Sequence, residues 1–194
     1  MGMRENILKN ILQHAGYQIV FNRLPYPKKN LLGVSDICFE IMRVYQNLGG
    51  VLSEVPLNLR RWDIEAGDTA IELDEELHFN RYRNLTLRSP LYKKLPHFPL
   101  KQYRNYCIVY EKACLNAGSY GKKWTNDSCE KQYGRAGKAG QLTGNGSPRW
   151  RQRAFYDFVK DMAPLLCNIS VIRISIYDSL RINGTEYLIR RCFK

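Results

Sequence analysis

Apolar residues recur at helical spacing in some stretches of the chain and alternate with polar ones in others. Ile7, Leu8, Ile11 and Leu12 lie three and four residues apart and predict a helix from about Glu5 to His14, which Gly16 can end. A second helix is predicted from Ser35 or Asp36, either a suitable N-cap, through Ile37, Phe39, Ile41, Val44, Tyr45 and Leu48 to a stop at Gly49-Gly50. A third runs from Leu100 to about Asn116 with Tyr103, Tyr106, Cys107 and Tyr110 on one side, a spacing better suited to helix packing than to a base-stacking ladder. A fourth, from about Arg149 to Leu166, has Ser147 as cap, Pro148 at its first position and a core stripe of Phe155, Phe158, Val159 and Met162. Strand patterns occupy Tyr17 to Phe21, Val51 to Pro56, a hairpin from about Leu57 to Asp74, Ile169 to Tyr177 and an edge strand from Tyr187 to Phe193.

The order is helix, three strands, an inserted helix and loop, helix, strand, which predicts an α/β core with a mixed sheet. The 194 residues are the size of one domain. Prolines interrupt the connector Leu24 to Asn30 and the stretch from Pro90 to Leu100. The segment from Gly118 to Pro148 is rich in glycine and is expected to form a loop or short turns outside the core.

The hairpin gathers acid. In Arg61-Trp-Asp-Ile-Glu-Ala-Gly-Asp-Thr-Ala-Ile-Glu-Leu-Asp74, Ile71 and Leu73 face one way, Glu72 and Asp74 the other. With Gly67-Asp68 as a two-residue turn, Ala66 pairs with Thr69 and Asp63 falls opposite Glu72, side-chain roots roughly 5 Å apart. Like charges so opposed destabilise a hairpin unless a cation stands among them. A divalent metal ion is one solution. The competing one is an exposed charged face in which Arg61 pairs across the strands with Asp74. Glu65 and Asp68 read as turn chemistry.

Charge gives the hairpin its context. Thirty Lys and Arg against eighteen Asp and Glu leave +12 and a pI near 9.5, a balance that attracts polyanions. From Ser119 to Arg153 there are eight cations (Lys122, Lys123, Lys131, Arg135, Lys138, Arg149, Arg151, Arg153) and two anions (Asp127, Glu130), so 8 − 2 = +6 lies in this one segment. Lys122-Lys-Trp124 and Arg149-Trp-Arg-Gln-Arg153 mix cations with indoles, the cations suited to phosphates and the rings to stacking on bases. The plainer alternative is that Trp150 packs in the core and the cations are solvated. No apolar run approaches the roughly 20 residues of a membrane span, and the first residues lack a signal-peptide core, so a cytoplasmic location is expected. The sequons at Asn84 and Asn183 then carry no meaning. The cysteines form no C-x-x-C pair, and a zinc site from His97, Cys107, Cys114 and Cys129 fits no compact spacing, so reduced thiols are expected.

These residues resemble the PD-(D/E)xK nuclease superfamily, and within it the very-short-patch-repair-like and small restriction-type endonuclease domains. The likeness rests on Glu40 in Cys38-Phe-Glu-Ile-Met42, on Arg61-Trp-Asp-Ile64, on Ala70-Ile-Glu-Leu-Asp-Glu-Glu-Leu-His78 and on Val171-Ile-Arg-Ile-Ser175. It covers roughly residues 35–80 and 148–177. It implies a restriction-endonuclease-like core with a mixed central sheet flanked by helices, a single domain in which residues 83–147 are a basic insertion. Trp62 stands where that motif has proline, and Asp74 where it has lysine.

Read this way, the chain is a Mg²⁺- or Mn²⁺-dependent endonuclease acting on DNA, of restriction or repair type. Asp63 and Glu72 are the metal ligands, and the resemblance adds the backbone carbonyl of Leu73. Asp74 orients water or helps hold a second ion, Glu40 completes the acidic site, and His78 serves as general acid or base. For Glu40 the alternative is a solvated helix residue, and for His78 a surface or hinge histidine. Arg61, Lys122, Lys123, Trp124, Lys131, Arg135, Lys138, Arg149, Arg151 and Arg153 are the nucleic-acid-binding candidates. A double-strand cutter of this size needs two active sites, hence a homodimer. The alternative function is a non-catalytic, basic nucleic-acid-binding protein with a nuclease-like fold. A third reading is a module for acidic protein partners.

Overall fold

A computed structural model describes residues 2–21, 24–28, 36–182 and 185–193. Ser35 as alternative cap, the end of the proline connector at Lys29-Asn30 and the sequon asparagine Asn183 lie outside them. The fold is α/β, and its contacts divide into two compact units. The first comprises Met1–Tyr26, Arg60–Glu75 and Ala163–Lys194, the second Pro27–Leu59 and Glu76–Met162. The expected insertion, residues 83–147, falls entirely within the second.

The first unit begins with helix α1 (Met3–His14), after which Gly16 adopts φ +89° and turns the chain into strand β1 (Ile19–Val20). Strands β2 (Ile64–Ala66), β3 (Thr69–Asp74) and β4 (Ser170–Ser175) complete a mixed four-stranded sheet in the order β1-β2-β3-β4. β1, β2 and β3 run antiparallel, and β4 lies parallel to β3. Helix α9 (Ala163–Cys167) leads into β4, and Ala163 packs with Trp62 and Ala70 in a cluster that Val171, Ile169 and Cys167 flank. Strands β5 (Ser179–Ile182) and β6 (Thr185–Leu188) form a separate hairpin, followed by a 3₁₀ turn at Ile189–Arg191 in place of a longer edge strand.

The antiparallel meander differs from the expected one in its first strand. Val51 to Pro56 is irregular and belongs to the second unit, whereas the sheet lies in the first. β1, a two-residue bridge pairing Ile19 with Ala66 and Val20 with Glu65, takes that place. The helix directly preceding the meander is therefore α1, not the helix that carries Glu40. β4, the last strand of the sheet, leaves Ile172 half exposed.

The second unit is helical: α2 (Asp36–Asn47), α3 (Arg81–Thr86), α4 (Leu100–Val109), α5 (Glu111–Gly118), α6 (Gly121–Trp124), α7 (Asp127–Tyr133) and α8 (Pro148–Asp161), with 3₁₀ turns at Glu76–His78 and Pro90–Lys94. Ser147 caps α8 by accepting from Trp150 N, with Pro148 at the first position where its missing N–H costs nothing. The helix ends at Met162 because Pro164 cannot donate to the turn before it, so the expected single helix to Leu166 becomes α8 and α9. The third predicted helix is likewise two, broken at Tyr110 (φ −105°, ψ 10°).

The glycine-rich segment is a core element rather than a loop. Trp124, Cys129, Tyr133 and Trp150 are all buried, the two indoles meet edge to face at 5.2 Å, and Tyr45 packs on Tyr133 and Phe155. Gly146 makes this compactness possible. It sits at φ +57°, and a Cβ there would lie 1.9 Å from the Tyr82 hydroxyl. Gly146→Ala is expected to destabilise the protein by about 1–3 kcal/mol or more from the backbone alone, measured as a lowered urea midpoint.

Candidate functional site

The hairpin register places its acids. Ala66 pairs with Thr69, Glu65 with Ala70 and Ile64 with Ile71, around Gly67 at φ +60°. The next step along this register sets Asp63 against Glu72. There the regular ladder stops, and the side chains take over its hydrogen bonds. Leu73 N donates to Asp63 Oδ2 at 3.0 Å, and Asp63 N donates to Glu72 Oε1 at 3.3 Å. Each carboxylate thus accepts a backbone N–H of the opposite strand, which holds the two acids at one end of the hairpin. Glu72 is buried and Asp63 half-buried, so the exposed charged face offered as the alternative is not what forms. Asp63 also lines a cavity of about 180 Å³ with Lys9, Ile19, Phe21, Trp62 and Glu65.

Asp74 is handled differently. Parallel pairing sets Glu72 beside Arg173 and Asp74 beside Ser175, and alternation puts Glu72, Asp74 and Arg173 on one face. Arg173 Nη1 donates to Asp74 Oδ1 at 2.7 Å, with both side chains only 1% exposed. The cation that the acidic face requires is therefore supplied in part by the protein itself, from β4. Arg61, the partner of Asp74 in the competing reading, is exposed, with its guanidinium 5.9 Å from the Tyr26 ring centroid. Among the described residues, Asp63, Glu72 and Asp74 do not bring one oxygen each within 4.8 Å of one another. The three-carboxylate focus expected from the sequence resolves into a carboxylate pair, Asp63 and Glu72, and an ion pair, Asp74 and Arg173.

Glu40 and His78 belong to the second unit. Glu40 receives two bonds from Arg43, at 2.6 and 2.7 Å, and one from Ser89 Oγ at 2.6 Å. Burial pushes its carboxyl up, but these bonds together outweigh it and hold the group below the ordinary glutamate value. His78 Nδ1 lies 2.8 Å from Asp157 Oδ2. An ionised carboxylate only accepts, so the proton of this bond is on Nδ1. Four residues on, Asp161 accepts from Arg83 Nη2 at 2.6 Å and from Tyr92 Oη at 2.5 Å in a fully buried network. Neither aspartate was singled out from sequence. The available signal is two acids at i, i+4 set among the apolar positions of α8.

Residues 43–194 match a family of unknown function, DUF7255. The chain belongs to that family. No curated protein and no solved structure matches it. The DUF7255 region contains Asp63, Glu72, Asp74, His78, Asp157 and Arg173, whereas Glu40, α1 and β1 precede it.

The basic candidates of the DUF7255 region separate into two sets. Lys122, Lys123, Lys131, Arg135 and Lys138 are exposed. Arg149, Arg151 and Arg153 are half-buried: Arg149 donates to Gln152, and Arg151 donates to Leu48 O at 2.6 Å and lies over the Tyr82 ring. Trp124 and Trp150 spend their indole N–H groups on Gly137 O and Lys123 O, at 3.0 and 3.1 Å. Trp124 is therefore core and presents no face for a base, which corrects its assignment as a nucleic-acid contact. Cys107, Cys114 and Cys129 are buried thiols, and burial pushes Cys114 up to about 12. Among the described residues, no metal-sized group of His, Cys, Asp and Glu contains a cysteine.

Proposed function

We propose that the chain is a Mg²⁺- or Mn²⁺-dependent endonuclease acting on DNA, with Asp63 and Glu72 as the metal-binding carboxylates. The observation that carries this reading is the register that seats those two acids against each other at the open end of the hairpin, each gripping the other's strand. The succession of helix, antiparallel meander and parallel fourth strand in the first unit supports a restriction-endonuclease-like core, as the resemblance to the PD-(D/E)xK superfamily implies. The net charge of +12 supports a polyanionic substrate.

The donor set suits the ion. Mg²⁺ takes hard oxygens, one or two of them carboxylates, and keeps several waters. Asp63 and Glu72 offer the carboxylates. The carbonyl of Leu73 lies on the same side of its strand as the N–H that meets Asp63, as paired positions of an antiparallel ladder do. Such an ion, when bound, lowers the pKa of a coordinated water and neutralises charge on the phosphate. The chain's own part is to fix the two carboxylates through the Leu73 and Asp63 N–H groups. Arg173 holds Asp74, so in this reading Asp74 is a charge-balanced neighbour rather than a ligand. His78, oriented by Asp157, and Glu40, tied to Arg43 and Ser89, belong to the second unit, and neither is assigned a part in this carboxylate site.

A second reading is a non-catalytic nucleic-acid-binding protein. It is favoured by the same hydrogen bonds, since each hairpin acid already accepts from a backbone N–H or a guanidinium. Incubation of the full chain with supercoiled plasmid in Mg²⁺, Mn²⁺ or chelator separates the two. Metal-dependent nicking or linearisation is expected. Salt-sensitive binding with no strand cleavage in any divalent metal would leave the second reading standing. Linear product appearing without a nicked intermediate would indicate paired active sites and hence a homodimer.

A further inference from the structure

The exposed cations of the second unit lie on an ordered scaffold rather than a loose loop. Trp124 Nε1 donates to Gly137 O, Gly137 N to Gly146 O at 2.8 Å, Gln141 N to Lys138 O at 2.9 Å and Ser147 Oγ to Trp124 O at 2.6 Å. On this frame stand Lys122, Lys123, Lys131, Arg135 and Lys138. None of the ion pairs among the described residues uses any of them. Of the two acids of the segment, Glu130 feels the charge of Arg135, which leaves the four lysines in excess. Glu130 accepts from Thr125 Oγ1 at 2.8 Å and Ala136 N at 3.2 Å, and Asp127 lies in the first turn of α7, where the peptide dipole favours it.

What the segment lacks is equally informative. A surface that reads single-stranded bases needs exposed rings on which they stack. Both tryptophans are buried with their N–H groups satisfied. Tyr120 is 54% exposed, but the Lys123 ammonium sits over its ring at 5.0 Å and bonds its hydroxyl at 3.0 Å. The side chains left to meet a ligand are therefore the lysine ammoniums, of which Lys123 also bonds Ala117 O at 3.1 Å, and the Arg135 guanidinium, groups that suit phosphate oxygens.

We infer that the exposed cations of this segment, Lys122, Lys123, Lys131, Arg135 and Lys138, bind the phosphate backbone of duplex nucleic acid without regard to sequence, through counterion release. Any base preference of the protein then arises elsewhere in the chain. The inference rests on the nucleic-acid partner of the proposed function and not on cleavage, so it is tested in chelator, where no strand is cut.

The experiment measures binding of the full chain to two fluorescent duplexes of equal length and unrelated sequence across a series of KCl concentrations. For B-DNA, log K falls with log salt at about 0.9 per phosphate neutralised. Replacing all five cations with glutamine is expected to flatten that slope by ~4–5 on both duplexes alike. The smaller variant Lys122→Gln/Lys131→Gln/Lys138→Gln is expected to flatten it by ~2.7, which keeps the test available should the fivefold variant fold poorly. An unaltered slope in the triple variant overturns the inference. So does a slope that flattens on one duplex and not on the other, or displacement of duplex by polyglutamate at matched charge, which would point to an acidic protein partner.

Discussion

Arg173→Met is expected to destabilise the protein by about 3–5 kcal/mol, seen as a lower urea midpoint at unchanged slope. The reason is the company the guanidinium keeps. It is buried with Asp74 on the face that also carries Glu72, and an ion pair in such a place contributes little beyond its own desolvation cost while both partners are present. Removing one partner leaves the other charge buried beside a second carboxylate. The loss is a large share of the ~5–15 kcal/mol that domains of this size possess. Arg173→Lys is expected to recover only part of it, because an ammonium is a more strongly hydrated point charge on a different stem. The double replacement Arg173→Met with Asp74→Leu removes both charges and is expected to lie within ~2 kcal/mol of the wild type. Were Arg173→Met alone that mild, something other than Arg173 would be balancing the acidic face, and the Asp63–Glu72 pair would be the place to seek it by titrating the variant's stability with Mg²⁺.

Much of this sheet was legible in the sequence, and the exceptions share a cause. The hairpin register follows from one glycine able to take positive φ and from two-residue alternation, both local signals, and the structure pairs Ala66 with Thr69 as expected. β1 lies inside the strand pattern of Tyr17 to Phe21, but a two-residue bridge has no period that would announce its pairing with β2. Val51 to Pro56 has strand-like side chains but no neighbouring strand to pair with, and pairing is a non-local property. In the glycine-rich segment, glycine count suggested looseness, while Trp124, Cys129 and Tyr133, four to five residues apart, carried the opposite message. The break between α8 and α9 was visible in Pro164. Of the site, the facing of Asp63 and Glu72 was readable, and its electrostatics were not. A lone arginine within Val171-Ile-Arg-Ile-Ser175 announces that a strand otherwise apolar has an anionic partner, but which acid it meets depends on β3 and β4 lying parallel in one particular register. His78 with Asp157 is the same kind of fact, a contact across 79 positions of chain.

Asp63→Asn and Glu72→Gln are each expected to lower metal-dependent cleavage by about 100-fold or more, equivalent to ~2.7 kcal/mol of barrier, with stability nearly unchanged. The two amides suit this purpose because of what the carboxylates do structurally. Asp63 accepts from Leu73 N and Glu72 from Asp63 N, and an amide oxygen of the same shape can accept both bonds. The fold keeps its hydrogen bonds while the site loses the negative charge that a divalent cation needs. Alanine at either position would confound the two effects by leaving a backbone N–H unsatisfied, at about 1–3 kcal/mol. The asymmetry between activity and stability is therefore what distinguishes the two functions. A catalytic hairpin loses turnover and retains its melting temperature in both variants. A hairpin whose acids serve only to close the open end of a sheet retains its melting temperature in both variants and shows no cleavage in the wild type either. Isothermal titration with Mn²⁺ supplies an independent reading: one wild-type site, lost in both variants, supports the metal centre, and unchanged heats in all three proteins would remove it. Duplex binding in chelator should be equal among them in either case, since the cations that would hold the phosphates are in the second unit.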